Sequence, residues 1–302
     1  MELEIKASAL SEEELRADQV LSLAEQLFEF LGEPRSVFME AHYHDDPKGL
    51  LRAQNWALRA RYEQEAGFQE TIIATVKGPA EDHQGVPGRV EINTALTALP
   101  EAGDPLPAEL SRSLHLAEVP LDHWPGALWT TRVERSFIDL KLPGGGRAEL
   151  AIDQGMVITA GNSHPISELE LELREGAPAE LLTAAAQLCE QLAVRPMGRS
   201  KAARGLQLLG RLRPPEAQPQ ADQTQLWGRL WELEEWLREG HHEQLSNYRE
   251  TLQALASKLS PSAQLQQRID MLLHTPMRQL HPILNSKTHA KFLWDVLLKV
   301  HG

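Results

Sequence analysis

A chain of 302 residues with 42% hydrophobic and 24% charged side chains has globular composition and length for about two domains. Its formal charge of −13 excludes general binding to nucleic acid or to anionic membranes, because no field would draw a polyanion towards it. A single cysteine, Cys189, excludes an intramolecular disulfide, and the lack of a signal-like h-region or an apolar run of roughly 18 residues predicts a soluble, cytoplasmic protein.

Met1–Ala7 alternates charged and apolar side chains and reads as a strand. Ser11-Glu12-Glu13-Glu14 has capping-box spacing, which predicts a helix from there to Gly32 with Leu15, Leu23, Leu27 and Leu31 on its apolar face. From residue 37 to 174, short alternating segments are separated by Gly, Pro and Asp, near 37–43, 56–63, 70–77, 88–95, 130–142, 147–153, 156–160 and 166–174. That spacing predicts a meander or barrel of antiparallel strands. Residues 178–192 read as a helix, with Cys189 a buried thiol on it, and 200–209 as a short element whose pattern assigns no type. Residues 211–224, rich in Pro, Gln and Ala, read as a linker. Beyond it, Leu226, Trp227, Leu230, Trp231, Leu233, Trp236 and Leu237 form a wide apolar helix face, so these tryptophans are core. Further helices fit 242–259, 262–274 and 288–300, with Pro261, Pro276 and Pro282 as breaks between them. The histidines of this tail, His289 among them, are predicted to sit on helix surfaces or at caps.

What alternates on the strands is informative. Residues i and i+2 share a face, so Glu2, Glu4 and Lys6 project together, as do Arg59 with Arg61, Thr75 with Lys77, Arg89 with Glu91, Glu149 with Asp153, and Glu168 with Glu170 and Glu172. Leu3, Ile5, Leu58, Val76, Ile92, Leu150, Ile152, Leu169 and Leu171 occupy the other face. A sandwich with a solvated charged face would show this pattern, and so would a closed barrel with its charges in the lumen. The barrel is favoured because the charges are doublets and triplets of Glu, Arg and Lys, with cations and carboxylates on separate strands. Clustered carboxylates repel unless cations neutralise them, and hard divalent ions are shared between carboxylates and phosphates. Arg and Lys suit the remaining phosphate oxygens.

These residues carry a resemblance. Glu2-Leu3-Glu4-Ile5-Lys6 resembles the N-terminal ExExK signature of the CYTH, or triphosphate tunnel metalloenzyme, superfamily. Tyr43-His44-Asp45-Asp46-Pro47, Leu58-Arg59-Ala60-Arg61, Thr75-Val76-Lys77-Gly78-Pro79 and Arg89-Val90-Glu91 follow in the family's order. Arg132–Arg135, Glu149–Gly155, Glu168–Glu172 and Ser200–Gly205 complete the series. The chain is most similar to the bacterial inorganic triphosphatase branch, whose members join this domain to a helical CHAD domain.

The resemblance implies an α+β fold, with a closed antiparallel β-barrel tunnel, flanking helices and a small all-α C-terminal domain. It places the tunnel domain at 1–205, a linker at 206–224 and a short CHAD-like helical domain at 225–302. It implies Mg²⁺ or Mn²⁺ and hydrolysis of inorganic triphosphate to pyrophosphate and phosphate. Glu2, Glu4, Glu168 and Glu170 stand as the main metal ligands, and Glu91 and Asp153 as candidates for a second metal. Arg59, Arg61, Lys77, Arg89, Arg135 and Lys201 stand as the phosphate cradle, with Lys6 and Lys201 catalytic. A class IV-type adenylyl cyclase, a thiamine triphosphatase and a non-enzymatic polyphosphate or nucleotide sensor stay open as alternatives. Pro143-Gly144-Gly145-Gly146 reads as a hairpin turn, because no helix N-terminus follows it, and no P-loop occurs.

Overall fold

In the computed structural model the residues described are 1–10, 15–83, 86–196 and 199–301. The alternating segments become strands β1 (Glu2–Ala9), β2 (Glu29–Phe30), β3 (Arg35–His44), β4 (Ala57–Glu65), β5 (Thr71–His83), β6 (Val86–Leu96), β7 (Ala127–Lys141), β8 (Arg147–Ile158), β9 (Ser163–Glu175) and β10 (Val194–Pro196). The ladder runs β1-β6-β5-β4-β3-β7-β8-β9 and shuts on itself where β1 pairs antiparallel with β9, Lys6 opposite Glu170. The result is a closed eight-stranded antiparallel barrel, with β2 added beside β7 and β10 beside β1. The two segments expected at 147–153 and 156–160 are one strand, β8, joined to β7 by the turn at Pro143–Gly146. Gly155 permits that continuity, because a Cβ there would fall 1.9 Å from the Arg132 carbonyl oxygen.

Helices α1 (Ala17–Leu27), α2 (Leu50–Ala53), α3 (Ala108–Leu116), α4 (Pro178–Gln191) and α5 (Lys201–Leu208) surround the barrel, and the tail holds α6 (Gln223–Arg238), α7 (Leu245–Lys258), α8 (Ala263–His274), α9 (Met277–Leu284) and α10 (Lys287–His301). The expected capping box at Ser11–Glu14 lies outside the described residues. The helix after it ends earlier than its apolar periodicity implies. Phe28 is already extended, and Glu29 and Phe30 pair with Lys141 and Leu140, so Gly32 is no helix terminator. Pro282 lies inside α9 instead of breaking a helix, and α7 begins at Leu245 after a single tight turn at His242–Gln244.

Three apolar clusters position the barrel. Ile5, Leu150, Ile152, Leu169 and Leu171 on the outer faces of β1, β8 and β9 pack in one continuous core with Leu181 and Leu188 of α4 and with Leu226, Leu230, Phe292 and Val296 of the tail. The Trp294 indole N–H donates to the Val194 carbonyl at 3.2 Å, which ties α10 to β10. Leu58, Ala60, Ala74 and Val76 on the outside of β4 and β5 lie under α2 and α3, against Leu51, Leu110 and Leu114. The third cluster lies inside. Met39, Ala41, Tyr43 and Val133 of β3 and β7 meet Ala202 and Leu206 of α5, which stoppers one end of the barrel. On β3, and on the stretch of β7 beside it, the polarity is therefore the reverse of that on β1, β4, β8 and β9. The outer face of β3 carries Glu40 and His42, hydrogen-bonded to each other at 2.9 Å, with Arg132 beside them at 2.7 Å from Glu40. The tail tryptophans Trp227, Trp231 and Trp236 are core as predicted, and Cys189 is buried. His289 is a correction, for it is fully buried and sits 2.8 Å from Glu234.

Candidate active site in the barrel lumen

Closing a pleated sheet turns one face of every strand into a lumen. Here the charged face is inside. Glu2, Glu4 and Lys6 of β1 line a cavity of about 490 Å³ together with Arg59 and Arg61 of β4, Lys77 of β5, and Arg89 and Glu91 of β6. Arg135 of β7, Glu170 of β9 and Lys201 of α5 complete the residues expected there. Asp153 and Glu168 lie one step deeper, fully buried beneath Lys201. The structure thus brings all the sequence-predicted site residues to one lumen.

The deep end is a compensated ion cluster. Asp153, Glu168 and Glu170 each present an oxygen within 4.8 Å of the others, a set of hard donors that fits a divalent cation. In this chain the Lys201 ammonium stands among them, 2.6 Å from Asp153 and 3.0 Å from Glu170, and paired also with Glu168. Arg135 forks onto Asp153 with two bonds of 2.7 Å and also pairs with Glu170. Lys6 joins Glu170 to Glu4, at 2.9 Å from the latter, and Arg204 holds Glu168 at 3.1 Å. Burial opposes the charge on Glu170, but Lys201, Lys6 and Arg135 outweigh it and hold its carboxyl well below the usual range. Asp153 is lowered in the same way, against burial, by Arg135 and Lys201.

Local sequence explains why Lys201 sits where it does. Ser200 caps α5 by accepting the Ala203 N–H at 3.2 Å, so the helix starts at Lys201 and its side chain leaves from the first turn. Gly205 lets the helix seat against the barrel, because a Cβ there would fall 2.2 Å from Trp129 Nε1.

Elsewhere the lumen is not balanced. Glu2 is pushed up to about 7 by burial and by Glu4, although Lys77 is 2.6 Å away. Glu172 is raised by burial, with Glu149 and Glu4 adding to it against Arg174 at 2.5 Å. Across the ring, Arg61 is pushed down to about 10 by burial and by the neighbouring Arg59 and Arg135, with Glu63 at 2.5 Å as its counter-charge. Arg59 lies 4.0 Å from Glu91. The imbalance falls on Glu2 and Glu172 of the β1–β9 seam and on Arg61 of the facing β4 wall; against burial, Lys6 and Lys77 hold Glu4 below its ordinary range, and Tyr43 and Glu91 hold Arg59 above its own.

Sequence reasoning did not count Tyr43, Glu63, Glu149, Glu172, Arg174 or Arg204 among the site residues. The i+2 rule carried two places further reaches Glu63 from Arg61, and Glu172 and Arg174 from Glu170. Arg204 is three residues after Lys201, on the same side of α5. Tyr43, whose hydroxyl meets Arg59, lies on the apolar face of β3 and gave no charge signal. Among the described residues no helix is long and apolar enough to cross a membrane.

A family model for the CYTH domain matches residues 1–206. Among curated proteins, the chain is 29% identical over 182 residues to an inorganic triphosphatase of Haemophilus influenzae, covering 59% of this chain and 47% of that protein. The chain therefore spans about half the length of that relative. Among solved structures it is similar to a Hippeastrum adenylyl cyclase candidate described as having a dominant triphosphatase activity, with a TM-score of 0.45, 18% identity, and 71% of this chain and 98% of that one covered. A second is the PH1819 protein of Pyrococcus horikoshii, with a TM-score of 0.40, 17% identity, and coverage of 70% and 100%.

Proposed function

The chain belongs to the CYTH domain family, and from that premise we propose that it is a divalent-metal-dependent hydrolase of inorganic triphosphate, releasing pyrophosphate and phosphate. The observation that carries the reading is the split polarity of the lumen. A wall holding Arg59 and Arg61 faces a seam holding Glu2, Glu4 and Glu172, inside a closed barrel. An oligophosphate needs the first and a hard cation the second.

In this reading Arg59, Arg61, Lys77, Arg89 and Arg135 bind and orient the phosphate chain, the guanidiniums as planar forks and Lys77 as a point charge. Glu2, Glu4, Glu168 and Glu170, with Glu172 opposite Glu4 in the β1–β9 pair, would hold Mg²⁺ or Mn²⁺, and Glu91 and Asp153 would support a second ion. A bound divalent ion supplies charge neutralisation at phosphoryl oxygens and acidifies water. Lys6 and Lys201 act as fixed charges. Burial works against their protonation, but the surrounding carboxylates raise both above the ordinary lysine range, so neither gives up its proton. Their task is to stabilise negative charge on the transferring group, which is most of what phosphoryl transfer asks of a protein. The test is phosphate release from tripolyphosphate, ATP, thiamine triphosphate and pyrophosphate with Mg²⁺ or Mn²⁺. Tripolyphosphate should be cleaved fastest, and EDTA should stop the reaction; full activity in EDTA, or a clear preference for another substrate, would sink the reading.

A further inference from the structure

Away from the lumen, a second cavity of about 790 Å³ opens where the α5 end of the barrel meets the C-terminal end of α6. Arg195, Arg199, Arg204 and Arg238 line it with Glu235 and Glu239, and Glu168 reaches Arg204 from the barrel side. Arg199 is 4% exposed and stacks on Trp236, its Cζ 4.6 Å from the ring centre. Its Nη1 donates to both Glu239 oxygens and to Gln207, each at 2.8 Å. Its Nε and Nη2 are buried without a hydrogen-bond partner among the described residues. Arg195 is held to Glu235 at 2.7 Å through Nη2, and its Nε and Nη1 are likewise unpartnered, as are the hydroxyls of Ser8 and Ser167 on the same cavity.

Donors are costly to bury unpaired, and guanidinium N–H groups can be satisfied only by acceptors. A carboxylate ligand brings one charge and two oxygens, too few for this set. A phosphate brings nearly two charges at neutral pH and acceptor oxygens directed tetrahedrally. We propose that this cavity is a second oxoanion site that takes inorganic phosphate, single or as pyrophosphate. The proposal is independent of the reaction assigned to the lumen. The field there is strong enough that Glu235, despite burial, is drawn below its ordinary range by Arg195, Arg199 and Arg204. Arg204 lines this cavity and also holds Glu168, so the cavity and the deep carboxylate cluster share a side chain.

The experiment uses the full chain without metal, carrying Arg61→Ala and Lys77→Ala to weaken the lumen, titrated with orthophosphate and pyrophosphate by calorimetry. Uptake should persist in that background. Arg199→Lys keeps the charge opposite Glu239 but loses the fork, and should weaken binding about ten-fold or more. Ser167→Ala removes a hydroxyl that bonds to no other described residue and should weaken it about three-fold. A rise in melting temperature on adding phosphate should shrink in parallel. No uptake in the lumen-weakened background, or unchanged affinity in folded Ser167→Ala and Arg199→Lys, overturns the proposal.

Discussion

Gly205→Ala should damage the candidate active site without touching any charged residue. The added Cβ would lie 2.2–2.4 Å from Trp129 Nε1, Cε2 and Cδ1, where ordinary contact begins at 3.4 Å. Something must retreat by more than an ångström. Trp129 is 5% exposed and stacked on Tyr43 at 5.2 Å between ring centres, so it has little room to yield, and α5 is the element that moves. Overpacking of this size costs about 1–3 kcal/mol, which corresponds to roughly 2–10 °C in melting temperature for a chain of this length. The larger effect should be on turnover. Lys201 is four residues earlier on the same helix, and its 2.6 Å contact with Asp153 cannot survive an equal displacement. A misplacement of ~1 Å can remove up to about 100-fold in rate. The assay is phosphate release from tripolyphosphate with Mg²⁺, measured beside thermal melting. Trp129→Phe deletes the clashing pyrrole edge, so the double variant should recover part of the loss in both readouts, as a double-mutant cycle reports. Gly205→Ala with parental rate and melting temperature would refute the seating of α5 against Trp129.

Glu170→Gln should nearly abolish turnover, since Lys6, Lys201 and Arg135 all converge on that carboxylate; a rate within a few-fold of the parent in a folded variant would remove it from the site. Arg61→Ala and Lys77→Ala should raise KM or lower kcat for tripolyphosphate while Arg213→Ala, at an exposed position between α5 and α6, does neither, and equal small effects at all three would mean a merely solvated face. His44 predicts a pH dependence: it is 4% exposed, its Nδ1–H donates to Pro125 O at 2.8 Å, and burial pushes it down to about 4 from 6.5. Between those values the unfolded chain binds a proton there and the folded chain does not. Stability from His44 is thus complete above pH 6.5 and falls as pH drops towards 4, by up to about 3 kcal/mol. Melting curves of His44→Asn should lose less over that window, and parallel loss in both proteins would contradict the assignment. A chain ending at residue 205 keeps every motif of the lumen but cuts α5 short and uncovers β10 and the leucine-rich face of α4, on which α10 packs. Re-exposing even three or four of those leucines costs about 5–10 kcal/mol, comparable to a whole domain's stability, so the fragment should lack a cooperative melt; a melt like that of the full chain would make the tail dispensable for folding.

The barrel was legible because most of its walls obey one rule, charge inside and apolar groups towards helices. Period-two alternation on β1, β4, β8 and β9 therefore marked both faces. The rule breaks on β3, where α5 presses Ala202 and Leu206 into the lumen against Met39 and Ala41, and solvent meets Glu40 and His42 outside. A single strand read by itself cannot show which of its faces a later helix will cover. The stretch that holds α3 was unread because its helix is only nine residues long, Ala108–Leu116, between irregular segments. The α1 boundary failed for a tertiary reason, as pairing of Glu29 and Phe30 with β7 overrode a helical pattern that continues to Leu31. Parity placed most of the charged side chains on one face, while the resemblance to CYTH proteins gave them their roles and supplied Arg135 and Lys201, which no parity pair contained; Tyr43 and the cavity around Arg199 depend on what folds against what, and no local pattern carries that.

The closure of β1 onto β9 has a consequence for the chain as it is being made. Lys6 and Glu170 are 164 residues apart in sequence. At about 5–20 residues per second on the ribosome, β1 waits roughly ten to thirty seconds for the strand it pairs with. Through that interval, even after β6 is made and pairs with its other side, the edge that will meet β9 carries unpaired N–H and C=O groups, the kind of edge that captures other chains. Glu2, Glu4 and Lys6 guard it, because like-charged strands meeting side by side would set glutamates against glutamates. The side chains that later line the lumen thus serve first to keep nascent copies apart.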